Sequence, residues 1–263
     1  MRKSVFFPVI VSGAMLLASA CNKQPNGVAA GQDPEKVSRS EYDVAQDEWK
    51  HGRLRSAMEH AIRASDADEM HAEAHHFVAI VYLALCQSEG DCRLADAERY
   101  ARKAVVADPE YRPAKHTLGM ILVAERKFDD AIAVLQPLAE DIIYKTPELA
   151  WYDLGGAFLG KGDNDRAIDA LSRAVALKPT FCWANYRLGL AYEKKGMLDA
   201  ARKELTEAVE PADPACRNLQ DAYEARGRVL QRMGKAGEAK ADFQLCVSLS
   251  AATASGKACR AAL

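Results

Sequence analysis

From Ser38 onward apolar residues recur at helical spacing, and a second rhythm of small residues is laid over them. Six alanines, Ala57, Ala97, Ala131, Ala167, Ala201 and Ala239, follow one another at intervals of 40, 34, 36, 34 and 38 residues. Each has another small residue upstream: Ala45, Ala79, Gly119, Gly155, Gly189 and Gly227, in five of six cases 12 positions earlier. Helix axes approach closely only where the crossing residues are small. A period near 34 with two small residues per unit therefore predicts an all-α solenoid of helical hairpins. Six units start near Ser38, Ala72, Arg112, Glu148, Cys182 and Leu219, and Ala251 to Leu263 form a short C-terminal cap. Such a stack offers a long concave surface rather than an enclosed reaction pocket.

The fourth and fifth units show the pattern most clearly. Unit four reads Ala150-Trp151-Tyr152-Asp153-Leu154-Gly155-Gly156-Ala157-Phe158, turns at Gly162-Asp163, runs from Ala167 to Ala174 and closes at Lys178-Pro179. Unit five repeats it from Ala184-Asn185-Tyr186-Arg187-Leu188-Gly189-Leu190-Ala191-Tyr192 through a turn at Gly196 to Ala201 and Ala208. These residues resemble the tetratricopeptide repeat, over residues 38 to about 249, and the resemblance implies a right-handed superhelix. The departures are specific. Unit one has Glu48 beside Trp49 where Tyr or Leu is usual, and unit six has Arg226 at a leucine position. Unit two carries six extra residues around Cys86 and Cys92, expected to lengthen its inter-helix turn. Pro137 should kink or shorten the second helix of unit three.

The chain's beginning changes the picture. Arg2 and Lys3 precede an apolar run from Val5 to Leu17, then Ala18-Ser19-Ala20-Cys21. Residues 1–20 read as a secretory signal, too short for a comfortable membrane span. Leu17-Ala18-Ser19-Ala20-Cys21 resembles the bacterial lipoprotein processing site, which implies that Cys21 becomes an acylated N-terminus. Ordinary cleavage after Ala20 is the alternative. Asn22 stands where an inner-membrane retention aspartate would, so the resemblance implies the outer membrane, facing the periplasm. Residues 21–37 then form the lipidated cysteine and a flexible tether rich in polar residues, Gly and Pro. The folded domain is residues 38–263. Loss of the signal takes the net charge from −2 to −4, with no clustered basic residues to suggest nucleic-acid binding.

Seven cysteines are an odd number for an exported protein, and a lipid on Cys21 leaves six to pair. Six cysteines allow 15 connectivities. The stacking of units favours Cys86–Cys92 within one insertion, Cys182–Cys216 between adjacent helix starts, and Cys246–Cys259 between the last repeat and its cap. Metal binding competes, but the C-x-x-C spacing it favours is absent.

Candidate chemistry is sparse. His71 and His75 share a helix face beside His76, but Glu73 lies two places after His71, where zinc proteases need it at the next position. Solvated or groove-lining histidines are the expectation, with no metal, no cofactor beyond the lipid, no small-molecule substrate and no enzyme. Concave positions carry what remains. Projection of the helical phase places His76, Ile80 and Leu83 there in unit two, and His116, Met120 and Val123 in unit three. Unit four adds Tyr152, Gly156 and Leu159, unit five Trp183, Tyr186 and Leu190. Unit six turns polar, with Glu224, Arg228 and Gln231. This strip is expected to take an apolar helix or extended segment. The competing reading is that tight curvature buries it against neighbouring helices.

Lipobox, short tether, six repeats and stapled C-terminal units together resemble the pilotins of type IV pilus secretins (the Tgl/PilF/PilW type). That resemblance implies a secretin subunit as partner, escorted to the outer membrane and assembled there into multimers. The alternative is another outer-membrane repeat lipoprotein, scaffolding cell-wall enzymes or a protease.

Overall fold

The computed structural model describes residues 31–210, 216 and 218–263. Helices α1 (Pro34–Lys50), α3 (Ala72–Glu89), α5 (Arg112–Ala124), α7 (Pro147–Lys161), α9 (Cys182–Lys194) and α11 (Gln220–Arg232) are the first helices of six hairpins. Their partners are α2 (Leu54–Ala67), α4 (Leu94–Ala107), α6 (Phe128–Ala139), α8 (Asn164–Leu177), α10 (Leu198–Val209) and α12 (Ala236–Leu249). A thirteenth helix, α13 (Ala254–Ala261), packs on α11 and α12 as the cap. Each helix packs mainly on its neighbours in sequence, and first helices also meet across adjacent hairpins along most of the stack.

The small residues explain the hairpins. A Cβ on Gly155 would lie 2.5 Å from Leu171 Cγ, and one on Gly189 would lie 2.6 Å from Leu205 Cγ. Gly119 stands in the same relation to Leu135, and Gly227 to Phe243. Each glycine is therefore the hole for a large, buried side chain 16 residues on, which lets the two axes close up. Most hairpins turn through a glycine in the left-handed region, such as Gly162 at φ 79°. Unit three places Arg126 there, at φ 62°, a conformation that costs an L-residue about 1 kcal/mol.

Two expectations need correction. The first helix starts at Pro34 rather than Ser38, so residues 34–37 belong to the solenoid and not to the tether. Asp33 caps it by accepting the Glu35 N–H at 3.2 Å, and Pro34 opens it where a missing N–H costs nothing. The extra residues of unit two lengthen α3 to 18 residues and carry it to Glu89, rather than simply widening the turn. Arg226, at the leucine position of unit six, forks onto Asp242 with two hydrogen bonds of 2.8 Å and reaches Glu210 at 2.6 Å. Pro137 sits in the last turn of α6, which at 12 residues is shorter than the 14 of α8.

Disulfides join Cys86 to Cys92, Cys182 to Cys216 and Cys246 to Cys259. The second ties the start of α9 to the segment before α11, and the third clamps α13 to α12. The signal segment, Cys21 and the tether up to residue 30 lie outside the described residues.

Candidate partner-binding surface

The concave face divides along each first helix. Toward the N-terminal parts, rings from the loops before the next first helix pack edge-on or tilted against rings of the preceding one. Tyr42 meets His71 at 5.1 Å between centroids, His76 meets Tyr111 at 5.3 Å, His116 meets Tyr144 at 6.0 Å and Tyr152 meets Phe181 at 4.9 Å. Polar bonds run alongside. His76 Nε2 pairs with Thr117 Oγ1 at 2.8 Å, and His116 Nε2 with Asp153 Oδ2 at 3.0 Å. These rungs set the offset between hairpins.

His76, His116 and Tyr152 are thus drawn out of the open strip and into repeat-to-repeat packing. His76 keeps only 7% of its surface, and burial pushes its pKa down to about 4, with His116 adding to the shift. Burial likewise raises the Tyr152 phenol. The signal for these rungs is a ring placed just before the start of α3, α5, α7 and α9: His71, Tyr111, Tyr144 and Phe181. It emerges only when the units are laid over one another.

Toward the C-terminal halves the face is apolar. Ile80, Leu83, Met120, Val123, Leu159 and Leu190 are all half-buried. Leu83, Val123 and Leu159 also pack on the main core, and Leu190 on the smaller core of units five and six. The groove expected from sequence is therefore shallower and narrower than projected. Arg187 interrupts it. Its guanidinium lies 4.0 Å above the Tyr152 ring and against the bare Cα of Gly156, where a Cβ would come within 2.3 Å of Nη1. Tyr186 is half-buried, and burial, then Asp221 and Glu224, raise its pKa to about 12. Trp183 projects from the start of α9 at 46% exposure.

The last two units end the strip in charge. Arg228 donates to Glu193 at 2.7 Å and to Glu224 at 2.6 Å, and Arg232 reaches Glu193 at 3.3 Å. Burial would raise the Glu193 carboxyl, but the hydrogen bonds and charge of Arg228, then of Arg232, outweigh it and hold the pKa below the usual value. Gln231 is exposed beside this network.

The three neighbouring histidines point to different partners. His71 Nδ1 pairs with Ser38 Oγ at 2.7 Å, His75 Nδ1 with Ser65 Oγ at 2.7 Å, and His76 with Thr117. Among the described residues no group of three or more His, Cys, Asp or Glu side chains is arranged to hold a metal. A cleft of about 630 Å³ that sequence reasoning missed runs along α4, lined by Glu98, Arg99, Arg102 and Val106 of that helix with His75 of α3 and Glu69 of the loop before it.

Residues 155–196 match the family described as TPR repeat, and residues 184–210 and 220–253 match the family described as Tetratricopeptide repeat. The fold is a tetratricopeptide-repeat solenoid. Two solved structures resemble the tetratricopeptide stack along nearly their whole lengths. PilW, titled a widely conserved type IV pilus biogenesis factor, has TM-score 0.70 and 18% identity over 84% of this chain and 97% of its own. PilF of Pseudomonas aeruginosa has TM-score 0.69 and 15% identity over 88% of this chain and 99% of its own. Among curated proteins, the peroxisomal targeting signal receptor of Candida glabrata is 30% identical over 96 residues, 36% of this chain. The matched segment spans only 16% of that receptor. At these identities the two structures are similar in fold, and the tetratricopeptide repeat supplies a surface for protein partners.

Proposed function

We propose that the chain is a lipid-anchored periplasmic adaptor that acts as a pilotin, binding secretin subunits of a type IV pilus machine and promoting their assembly at the outer membrane. The observation that carries this reading is extent. The structural match covers 97% of PilW and 99% of PilF, and 84% and 88% of this chain, so it takes in nearly all of each of those proteins rather than a few repeats of a larger one. The processing-site pattern ending at Cys21 agrees with it. Two acyl chains or more would hold the body on a bilayer, where a single chain is marginal.

The mechanism is physical and needs no covalent step. Met120, Ile80 and their neighbours cover an apolar segment of the incoming subunit, as a groove covers a helix face. The anchor confines that complex to the membrane surface and so raises the local concentration of subunits. Subunit–subunit contacts then displace the adaptor. Cells carrying only a Cys21→Ala variant should fold the solenoid but leave secretin monomeric, as read by heat- and detergent-resistant multimers. Normal multimers in that background would overturn the proposal.

A further inference from the structure

A second surface lies outside the concave strip. Because the two helices of each hairpin run antiparallel, every second helix ends, and every first helix begins, on one edge of the solenoid. The start of α1, where the N-terminal segment arrives, is on that edge too. Among the described residues eleven large apolar side chains stand exposed. Seven of them, Met70, Val106, Ile142, Ile143, Leu177, Trp183 and Leu249, fall on this edge, Ile142 at 98% and Val106 at 78%. The opposite edge contributes one of the eleven, Met197, among ion pairs such as Lys127 with Glu125, Lys161 with Asp129 and Lys195 with Asp165. Isolated exposed apolar residues are ordinary, but a row confined to one edge is not.

We propose that this apolar edge rests on the lipid bilayer that holds the acylated Cys21, with the opposite, ion-paired edge turned away. The inference rests on the anchored reading above, because the tether's exit point is what selects the occupant. Asp33 lies only 12 positions beyond Cys21. Whatever its conformation, that stretch spans at most about 40 Å. The start of α1 is therefore kept near the membrane surface, and the edge it belongs to is the one presented there. Acidic residues on the same edge decide the lipid chemistry. Asp68 and Asp141 each accept the backbone N–H two residues on, from Met70 at 2.9 Å and Ile143 at 2.8 Å, while Asp141 also holds Arg112 at 2.6 Å. These carboxylates are engaged within the loops whose apolar residues project. Glu69, Glu73, Glu110 and Glu140 remain exposed alongside Lys145 and Lys178, and this mixed charge suits zwitterionic headgroups and an apolar, salt-insensitive contact.

The test uses the lipidated full chain in vesicles of phosphatidylcholine and phosphatidylethanolamine. An environment-sensitive fluorophore is attached through Ile143→Cys or, on the far edge, Lys195→Cys. The label at 143 should be shielded several-fold from an aqueous quencher relative to 195, should be quenched by spin-labelled lipid, and should not respond to salt. Equal exposure of the two labels overturns the proposal. So does lipid contact at 195 that needs anionic lipid, or shielding at 143 that appears only when secretin is added. The mass of the mature N-terminus reads the anchor separately. If no acyl chain is found, the anchored reading fails, and the labelled chain titrated with the same vesicles reads the edge alone: a blue shift at 143 upholds it, and none refutes it.

Discussion

Replacing Gly155 by Ala probes the rule that spaces every hairpin. The new Cβ would sit 2.5 Å from Leu171 Cγ and 2.8 Å from Cδ2. Carbon atoms rest at about 3.5–4.0 Å, so the overlap is on the order of 1 Å against a fully buried leucine. Overpacking of this kind costs about 1–3 kcal/mol. Ala gains about 1 kcal/mol over Gly in helix propensity, leaving a net loss of about 0–2 kcal/mol. Leu171→Ala alone should cost about 2–5 kcal/mol, the range for a truncated buried leucine. In the double variant the clash is gone and the propensity gain survives. Unit one already uses such a pair, with Ala45 followed 16 residues later by Ala61, both fully buried. The double should therefore be more stable than the sum of the singles by at least about 1 kcal/mol. Urea unfolding of the four proteins, followed by circular dichroism with disulfides intact, measures that coupling. Additivity within about 0.5 kcal/mol would refute the pairing of glycine and leucine as hole and knob.

Other positions give independent checks. Arg126→Gly relieves a positive φ and should stabilise by about 1 kcal/mol in the same assay; a loss would mean that the Arg126 contact 5.9 Å over Phe128 outweighs the strain. His76 refuses a proton in the fold down to about pH 4, whereas an unfolded histidine accepts one near 6.5. Its contribution is complete above pH 6.5 and falls by up to about 3 kcal/mol as pH drops toward 4, so a His76→Gln variant should show a flatter acid limb of stability against pH. The Cys182–Cys216 bridge closes a separation of 34 residues, worth about 4 kcal/mol in the chain-entropy treatment. The paired alanine variant should lose stability of that order, and an unchanged urea midpoint would contradict it.

Much of the fold was legible because repetition amplifies weak signals. One glycine 12 residues before an alanine says little, but the same spacing in five units fixes the crossing point and the phase. The Cys182–Cys216 pair followed from stacking, since Cys182 opens α9 and Cys216 lies just before the equivalent helix α11. Errors arose where a residue's role is set by one local neighbour. Pro34 read as tether composition, although behind Asp33 it starts a helix. The extra residues of unit two read as turn, although they continue α3. The concave strip was legible in phase but not in depth. Helical phase shows which way His76, His116 and Tyr152 face, but not that a ring from the following loop lies against each. Arg187 is another such case, since its reach to Tyr152 and Gly156 crosses from one repeat to the next.

Direct binding to the C-terminal half of the concave strip tests the account most closely. Met120 is half-buried at the centre of that strip, whereas Leu83 also supports the core. A Met120→Glu chain should keep its helical content and melting transition while losing at least tenfold in affinity for purified secretin subunits, as the burial of a charge without a partner requires. Unchanged affinity in a folded Met120→Glu protein would contradict the account.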